Sequence, residues 1–557
     1  MDLEQIKKRV ARFIIEYGIL LVILAVGLAI WVPIFNLSLE GYLSEDLWIN
    51  WDVWLGNDPG HFEIFGYTIN YQFEGYTDYP YFYVHWGNNM LSGLMPYSDE
   101  FGHIVLDGYE NNNGLYIFPP LTAVFYGLGT WILPDNWGIG FLIAALGFLT
   151  ALPVYGLGKE FSGNRHVGEV AAFTYLLAPN VLFHIDYLWL NPSPMIFFFF
   201  SGYYMLVRGK RHTGTLLIVT AALFKQTAWF LGIPLVVYLL MKSRTPEPTT
   251  SAEDTSQDVS TEVDSDQESV KVSDQEGKLG RLQNLTNLMT EYLDLRKFIV
   301  SVLVVLVFVA AVMFPFVVAQ PNFWSYMRLA AGGFRLESFT EPPGYGSPMR
   351  LQVLPVIAGL PELARIMNFI VYSGGLLYFG VIVFAALMLV EPKLEGQSKV
   401  YLRRLLFLTL LMMLWVNIAG PRGVYKYYFT LFAPFFSIFS SSTIATSMEQ
   451  RVPFSFSMIW VPFLLSAMIL IPHRNIYLVY VIVIFGGYIA SKKLGETWYY
   501  AKTPFRKVNR RISSALNPFS IRISKFRERM HSYAYPDESL NTQSKEQDVE
   551  GDTATRG

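Results

Sequence analysis

Residues 13–37 read FIIEYGILLVILAVGLAIWVPIFNL, directly after Lys7, Lys8, Arg9 and Arg12. The run is of bilayer length, too long for a signal-peptide core, and has no small-residue cleavage site. It predicts an uncleaved transmembrane helix whose basic flank keeps the N-terminus in the cytoplasm. The chain around it has the same character: 52% of its 557 residues are hydrophobic and 16% are charged. A soluble domain carries about a quarter charged residues. Apolar blocks of this length exclude an ordinary soluble enzyme and a disordered chain. With 0 cysteines there is no disulfide scaffold, no thiolate nucleophile and no Cys-ligated metal. The net charge of −3 matters less than where the charges sit.

Further apolar blocks lie near 117–133, 138–158, 168–185, 191–207, 213–241, 298–319, 369–391, 405–420, 428–446, 456–472 and 476–491. The positive-inside rule places three basic clusters in the cytoplasm: Lys159, Arg165 and His166; Arg208, Lys210, Arg211 and His212; Arg403 and Arg404. All three face inward only if 117–133 does not cross fully and 213–241 crosses twice. Lys225-Gln226 interrupts the latter block, leaving two pieces of roughly 12 to 15 residues, each about 18–22 Å long. The expectation is an all-α, polytopic membrane protein of about twelve transmembrane helices (eleven to thirteen), with juxtamembrane helices on the outer face.

The organisation follows. Residues 1–242 form an N-terminal membrane half with a long outer loop at 37–115. Residues 243–297 are a cytoplasmic connection, and 298–495 a C-terminal membrane half with an outer loop at 320–368. Residues 496–557 are a cytoplasmic tail, first basic and then polar. The Ser/Thr/Asp/Glu-rich stretches 243–289 and 535–557 cannot bury enough apolar surface to fold. The basic stretch 502–529 continues the inside bias and suits anionic lipid headgroups. Nucleic acid is not expected as a partner. No repeat relates the two halves, which weakens a transporter built from inverted repeats.

From 76 the outer loop reads YTDYPYFYVHWGNNMLSGLMPY and, after an acidic stretch, GLYIFPPLTAVFYGL. Tyr79, Tyr83, Trp86, Met90 and Leu94 recur every three or four residues, one face of a helix. An aromatic stripe suits a helix lying flat in the membrane interface, ended by Gly93 and Pro96. Thr77 or Asp78 would cap its start, with Pro80 in the first turn. A carboxylate held there can also serve as a general base.

Here the order of features resembles the GT-C superfamily of integral-membrane glycosyltransferases, above all its polyprenyl-phosphate-mannose-dependent mannosyltransferases. The matching pieces are Tyr76-Thr77-Asp78-Tyr79, Gly93-Leu94-Met95-Pro96-Tyr97 and Tyr116-Ile117-Phe118-Pro119-Pro120-Leu121. Lys225-Gln226 in a broken hydrophobic hairpin before Pro234, and Arg422 through Tyr428 at the start of a late helix, are similar too. Eukaryotic glycolipid mannosyltransferases often carry D-x-D at the first of these places. Pro80 takes the second acidic position here, which argues against a divalent-metal cofactor held by that pair. His85 and His103 show no ligand spacing either.

The resemblance implies transfer of a hexose, mannose in the first instance, from a polyprenyl-phosphate donor. The acceptor would be a glycan or lipid-linked glycan on the outer or luminal face. Such chemistry needs a base for the acceptor hydroxyl and a cation for the departing lipid phosphate. Asp78 is the candidate base. Lys225, Arg422, Lys426, Arg335 and Arg350 are candidates for the phosphate, since guanidinium and ammonium groups match it. The alternative for Lys225 is snorkelling to the interface or pairing with a carboxylate, for Arg422 and Lys426 an outer helix-end anchor, and for Arg335 and Arg350 simple solvation. Tyr76, Tyr79, Tyr97, Tyr116, His184 and Asp186 are candidate substrate contacts. Of these, His184 and Asp186 also read as an ordinary polar helix end. A flippase or transporter of a lipid-linked saccharide is the competing function, and a scaffold subunit of a glycosylating complex a third. The expected location is a prokaryotic plasma membrane, or the ER membrane in a eukaryote, with both termini cytoplasmic.

Overall fold

The computed structural model describes residues 3–44, 60–73, 75–76, 78–102, 104–106, 109–111, 116, 118–243, 292–325, 358–390, 398–420, 425–439 and 457–467, with a few single positions besides. The N-terminal helices are α1 (Leu3–Leu43), α2 (Val84–Leu91), α3 (Pro120–Ile132), α4 (Trp137–Leu149), α5 (Ala151–Ser162), α6 (Arg165–Leu176), α7 (Pro192–Val207), α8 (Arg211–Ala222) and α9 (Gly232–Leu240). Then follow α10 (Leu295–Ala319), α11 (Pro361–Tyr372), α12 (Gly375–Val390), α13 (Ser398–Ala419), α14 (Ala433–Phe439) and α15 (Ser457–Ala467).

Among the described residues four helical stretches are long and apolar enough to cross a membrane: Gln5–Leu43, Gly138–Ser162, Leu295–Ala319 and Lys399–Ala419. The pair Pro361–Val371 and Gly375–Val390, bent by 69°, makes up to five. Helix α10 is apolar all round and almost uncovered, with Leu303, Leu306, Val307, Phe314 and Val318 exposed. A surface of this kind is compatible with lipid as its surroundings. By contrast, the 13 residues of α3 reach only about 20 Å, and the helix is largely buried against α2 and α4.

The chain is not purely helical. Two short antiparallel hairpins stand in the segment between α1 and α3: β1 (Gly60–Ile64) with β2 (Tyr67–Tyr71), and β3 (Ile104–Leu106) with β4 (Tyr109–Asn111). The first has a legible cause. His61-Phe62-Glu63-Ile64 and Tyr67-Thr68-Ile69-Asn70 alternate with period two around a Phe65-Gly66 turn.

The apolar block 213–241 is indeed broken. Lys225 is extended (φ −149°, ψ 137°) between α8 and a tight turn at Gln226–Leu231. The Trp229 indole donates to the Ala222 carbonyl at 3.0 Å, closing the break. The Arg211 guanidinium donates to the Leu239 carbonyl at 3.5 Å, so the start of α8 lies beside the end of α9. The two pieces therefore form a hairpin with Lys225 at its tip.

The opposite end of this hairpin gathers charge. Glu160 binds Arg208 at 3.0 Å and also pairs with Lys399. Arg403 donates to the Phe161 carbonyl at 3.2 Å, and Arg165 pairs with Glu169 at 2.9 Å. The three basic clusters of the sequence thus meet at one end of the bundle.

Aromatic packing joins the segment after α1 to the bundle. Trp189, held at φ +53° and buried, has its ring centroid 4.9 Å from Tyr79, 5.7 Å from Tyr42 and 5.2 Å from Phe35. It fills the space left by Gly140, where an added Cβ would lie 2.4 Å from the indole. Such pairs contribute roughly 0.5–1.5 kcal/mol each beyond burial. The stripe Tyr79, Tyr83, Trp86 is likewise buried in protein rather than laid on lipid, because Tyr126 and Trp189 offer it an aromatic wall. Gly93, at φ +82°, closes this helix.

Candidate functional site

Asp78 sits at the start of a wide helical turn over Tyr79–Tyr83 that runs into α2. Pro80 fits there because the first turn needs no N–H from it. Asp78 does not cap the turn: it is itself helical (φ −58°, ψ −30°), and its side chain makes no capping hydrogen bond, while Thr77, the other candidate, lies outside the described residues. What fixes the turn is Tyr79. Its hydroxyl donates to the Asn136 carbonyl at 2.7 Å and accepts from the Gly140 N–H at 3.1 Å. The Asp78 carboxylate is thereby held within electrostatic reach of Tyr83 and Tyr126, whose rings stack at 4.7 Å. Burial first, and then the Asp78 charge, push the Tyr83 phenol well above its ordinary pKa. The Asn191 backbone reaches Tyr83, and its side-chain amide donates to the Tyr126 hydroxyl.

Lys225 reaches the same group from the other side. It is 7% exposed, with Nζ 4.9 Å from the Tyr428 ring centre and 5.4 Å from that of Tyr427. Tyr428 is in turn within electrostatic reach of Tyr83. The Thr122 hydroxyl bonds the Phe224 carbonyl, so α3 fixes the backbone beside the lysine. A desolvated ammonium over two aromatic faces is well held, at up to about 2 kcal/mol.

Tyr76 and His184 complete the ring. Tyr76 lies 4.8 Å from Tyr427, 5.5 Å from Tyr425 and 6.4 Å from His184, and His184 is 6.3 Å from Tyr427. His184 is wholly buried, in the wide turn Leu182–Tyr187 between α6 and α7. Two residues on, Asp186 is buried as well, and its carboxylate oxygens have no hydrogen-bond partner among the described residues. Burial pushes that carboxyl up to about 8.

Other candidates stand elsewhere in the structure. Lys426 is buried, with Nζ donating to the main-chain carbonyls of Gln72 at 3.2 Å and Ile471 at 2.6 Å. It ties the segment after α1 to the C-terminal half. Tyr97 donates to the Phe118 carbonyl and Tyr116 to the Pro119 carbonyl, both at 2.9 Å. Both rings are fully buried among Trp86, Phe101 and Phe323, where they brace the loop. Arg335, Arg350 and Arg422 lie outside the described residues. Among the described residues no three His, Asp or Glu side chains cluster as metal ligands.

The cluster also holds side chains that the sequence reading does not assign to the site: Tyr83, Tyr126, Asn191, Tyr427 and Tyr428. The run Tyr425-Lys426-Tyr427-Tyr428 carries the signal of the last two in the sequence, three rings around one lysine. Chemically, the site combines a carboxylate, an ammonium and an aromatic wall. It suits a ligand carrying an anion, a hydroxyl and an apolar or sugar-like face.

No protein-family model matches the chain, and no curated protein or solved structure matches it.

Proposed function

We propose that the protein is a multi-pass membrane glycosyltransferase of GT-C type, with about twelve spans. It moves a hexose, mannose in the first instance, from a polyprenyl-phosphate donor to a glycan or lipid-linked glycan. Asp78 takes the acceptor hydroxyl's proton as the oxygen attacks the sugar's C1. The C1–phosphate bond breaks with its electron pair on the phosphate, and Lys225 stabilises the departing lipid phosphate. Tyr76, Tyr427 and Tyr428 offer faces to the sugar. The observation that carries this reading is the meeting of Asp78 and Lys225, distant in sequence, at one tyrosine cluster. The same geometry supports an external site: Lys225 tips a hairpin whose other end holds Arg211 in the basic cluster. With that basic end taken as cytoplasmic by the positive-inside rule, the site faces outward.

The test is to incubate purified protein with a panel of defined polyprenyl-phosphate hexoses and acceptor glycans, following release of polyprenyl phosphate. Release with one donor and acceptor pair supports the reading. No release across the panel, with the saccharide lipid instead moved between leaflets in vesicles, overturns it.

A further inference from the structure

The hairpin Gly60–Tyr71 is built in a way that the chemistry of the site does not explain. Its register pairs Phe62 with Ile69 and Ile64 with Tyr67 on one face, and His61 with Asn70 and Glu63 with Thr68 on the other. One face is therefore apolar and the other polar. The apolar face is exposed, from 38% at Phe62 to 76% at Tyr67, and Phe65 in the turn beyond it is 96% accessible. An isolated two-stranded hairpin is marginal in water, and an uncovered apolar face makes it more so.

The turn repeats the message. Phe65 and Gly66 are its two central residues, at φ +52° and +80°. Such turns favour Asn, Asp or Gly first, because a side chain at positive φ costs roughly 1–2 kcal/mol. A phenylalanine here opposes both the backbone and the solvent.

The level of the hairpin selects its occupant. An aromatic ladder descends from Phe62 to Tyr71 at 5.9 Å, Phe73 at 6.0 Å and Phe183 at 4.7 Å. Phe183 stacks on Tyr187 at 5.7 Å, and the Tyr187 carbonyl accepts from the Ser38 hydroxyl of α1. Ser38 stands near the end of α1, two residues before Glu40, the first charged residue of that helix after Glu16. The hairpin is thus rooted at headgroup depth, on the face that carries Asp78 and Lys225. Its five-residue strands reach about 16 Å from that root, enough to lie along a leaflet. Phenyl and phenol rings suit that boundary, and the hairpin's one charged carboxylate, Glu63, is on the far face.

We propose that this hairpin is a lipid-surface anchor: its apolar face rests on the leaflet and Phe65 inserts at the headgroup–acyl boundary. The proposal rests on the membrane reading of the fold but not on glycosyl transfer.

Because the chain has 0 cysteines, single-cysteine variants can be spin-labelled without background. Phe65→Cys, Tyr67→Cys, Thr68→Cys and, as a lipid-facing reference, Val307→Cys would be reconstituted in phosphatidylcholine vesicles. Collision with oxygen and with a water-soluble nickel chelate is then compared at each label. The expected result is that labels at 65, 67 and 307 meet oxygen in preference to nickel, while 68 meets nickel. A label at 65 and 67 reached by nickel, with 307 still oxygen-preferring, overturns the anchor and leaves the membrane reading intact. Labels at 65 and 67 shielded from both reagents also overturn it, since they would show a cover of protein, from this chain or a second copy. Nickel preference at 307 itself would overturn the membrane reading, and the anchor with it. Two labelled positions, one in the turn and one on the apolar face, guard against a variant that misfolds the turn.

Discussion

Replacing Lys225 with methionine separates phosphate binding from folding. In the resting structure its ammonium lies over the Tyr427 and Tyr428 rings, 7% exposed. Losing those contacts costs about 1–2 kcal/mol, and a methionine sulfur against the same rings returns about 0.3–1.5 kcal/mol. Stability should therefore change by about 1 kcal/mol or less. A phosphate is affected far more. A unit charge pair at 4 Å is worth about 4 kcal/mol at an effective dielectric near 20, part of which offsets desolvation. A net loss of about 2–3 kcal/mol weakens binding roughly 30- to 150-fold. The assay is equilibrium binding of a non-transferable polyprenyl phosphate to purified variants. Tyr428→Phe keeps the ring and should bind within about 3-fold of the parent, whereas Tyr428→Leu removes one cation–π face and should lose about 5- to 10-fold. Unchanged affinity in a folded Lys225→Met protein would refute the reasoning and move the phosphate elsewhere, with Arg422, Arg335 and Arg350 next to examine.

Other outcomes follow from single contacts. Lys426→Met should lower thermal stability and activity together, because Nζ holds the Gln72 and Ile471 carbonyls; loss of donor affinity without loss of stability would restore it as a phosphate ligand. Gly140→Ala should destabilise by about 1–3 kcal/mol, since the new methyl meets the Trp189 indole; an unchanged melting temperature would contradict the packing. Asp186 has its carboxyl pushed up to about 8 by burial, against about 3.9 in an unfolded chain. The folded state keeps the proton, so this contribution to stability is complete below about pH 4 and is lost as pH rises through 8. Asp186→Asn should match the parent at low pH and be the more heat-stable of the two at pH 9. A gap that does not widen with pH would count against a buried, protonated carboxyl.

Local features of this chain were legible and distant ones were not. The aromatic stripe from Tyr79 was readable from its spacing, and Tyr79, Tyr83 and Trp86 are indeed one buried face. What covers them was not readable, because Tyr126 and Trp189 come from other helices. The break at Lys225 was visible as a charged interruption of an apolar run. That the lysine lands on Tyr427 and Tyr428 is a contact across the whole chain, which no local pattern encodes. Asp78 looked like a helix cap by position, but the turn is fixed through the Tyr79 hydroxyl instead. Tyr97 and Tyr116 looked available to a ligand and are enclosed, since tyrosine serves a core as readily as a site when its hydroxyl finds a carbonyl. The hairpin at 60–71 stands out weakly in the sequence, because its period-two alternation is only four residues per strand and its turn is Phe-Gly in place of the usual Asn-Gly or Asp-Gly.

The central claim is that Asp78 removes the acceptor's proton in a transfer from lipid phosphate. Its most direct measurement sets the parent protein beside Asp78→Asn, each reconstituted with the same polyprenyl-phosphate hexose and acceptor. Initial rates of polyprenyl-phosphate release are followed together with donor binding. The account predicts that Asp78→Asn binds donor as the parent does and releases lipid phosphate about 10²-fold more slowly or worse, the scale of a lost general base. Release at the parent's rate by a folded, donor-binding Asp78→Asn protein would contradict it.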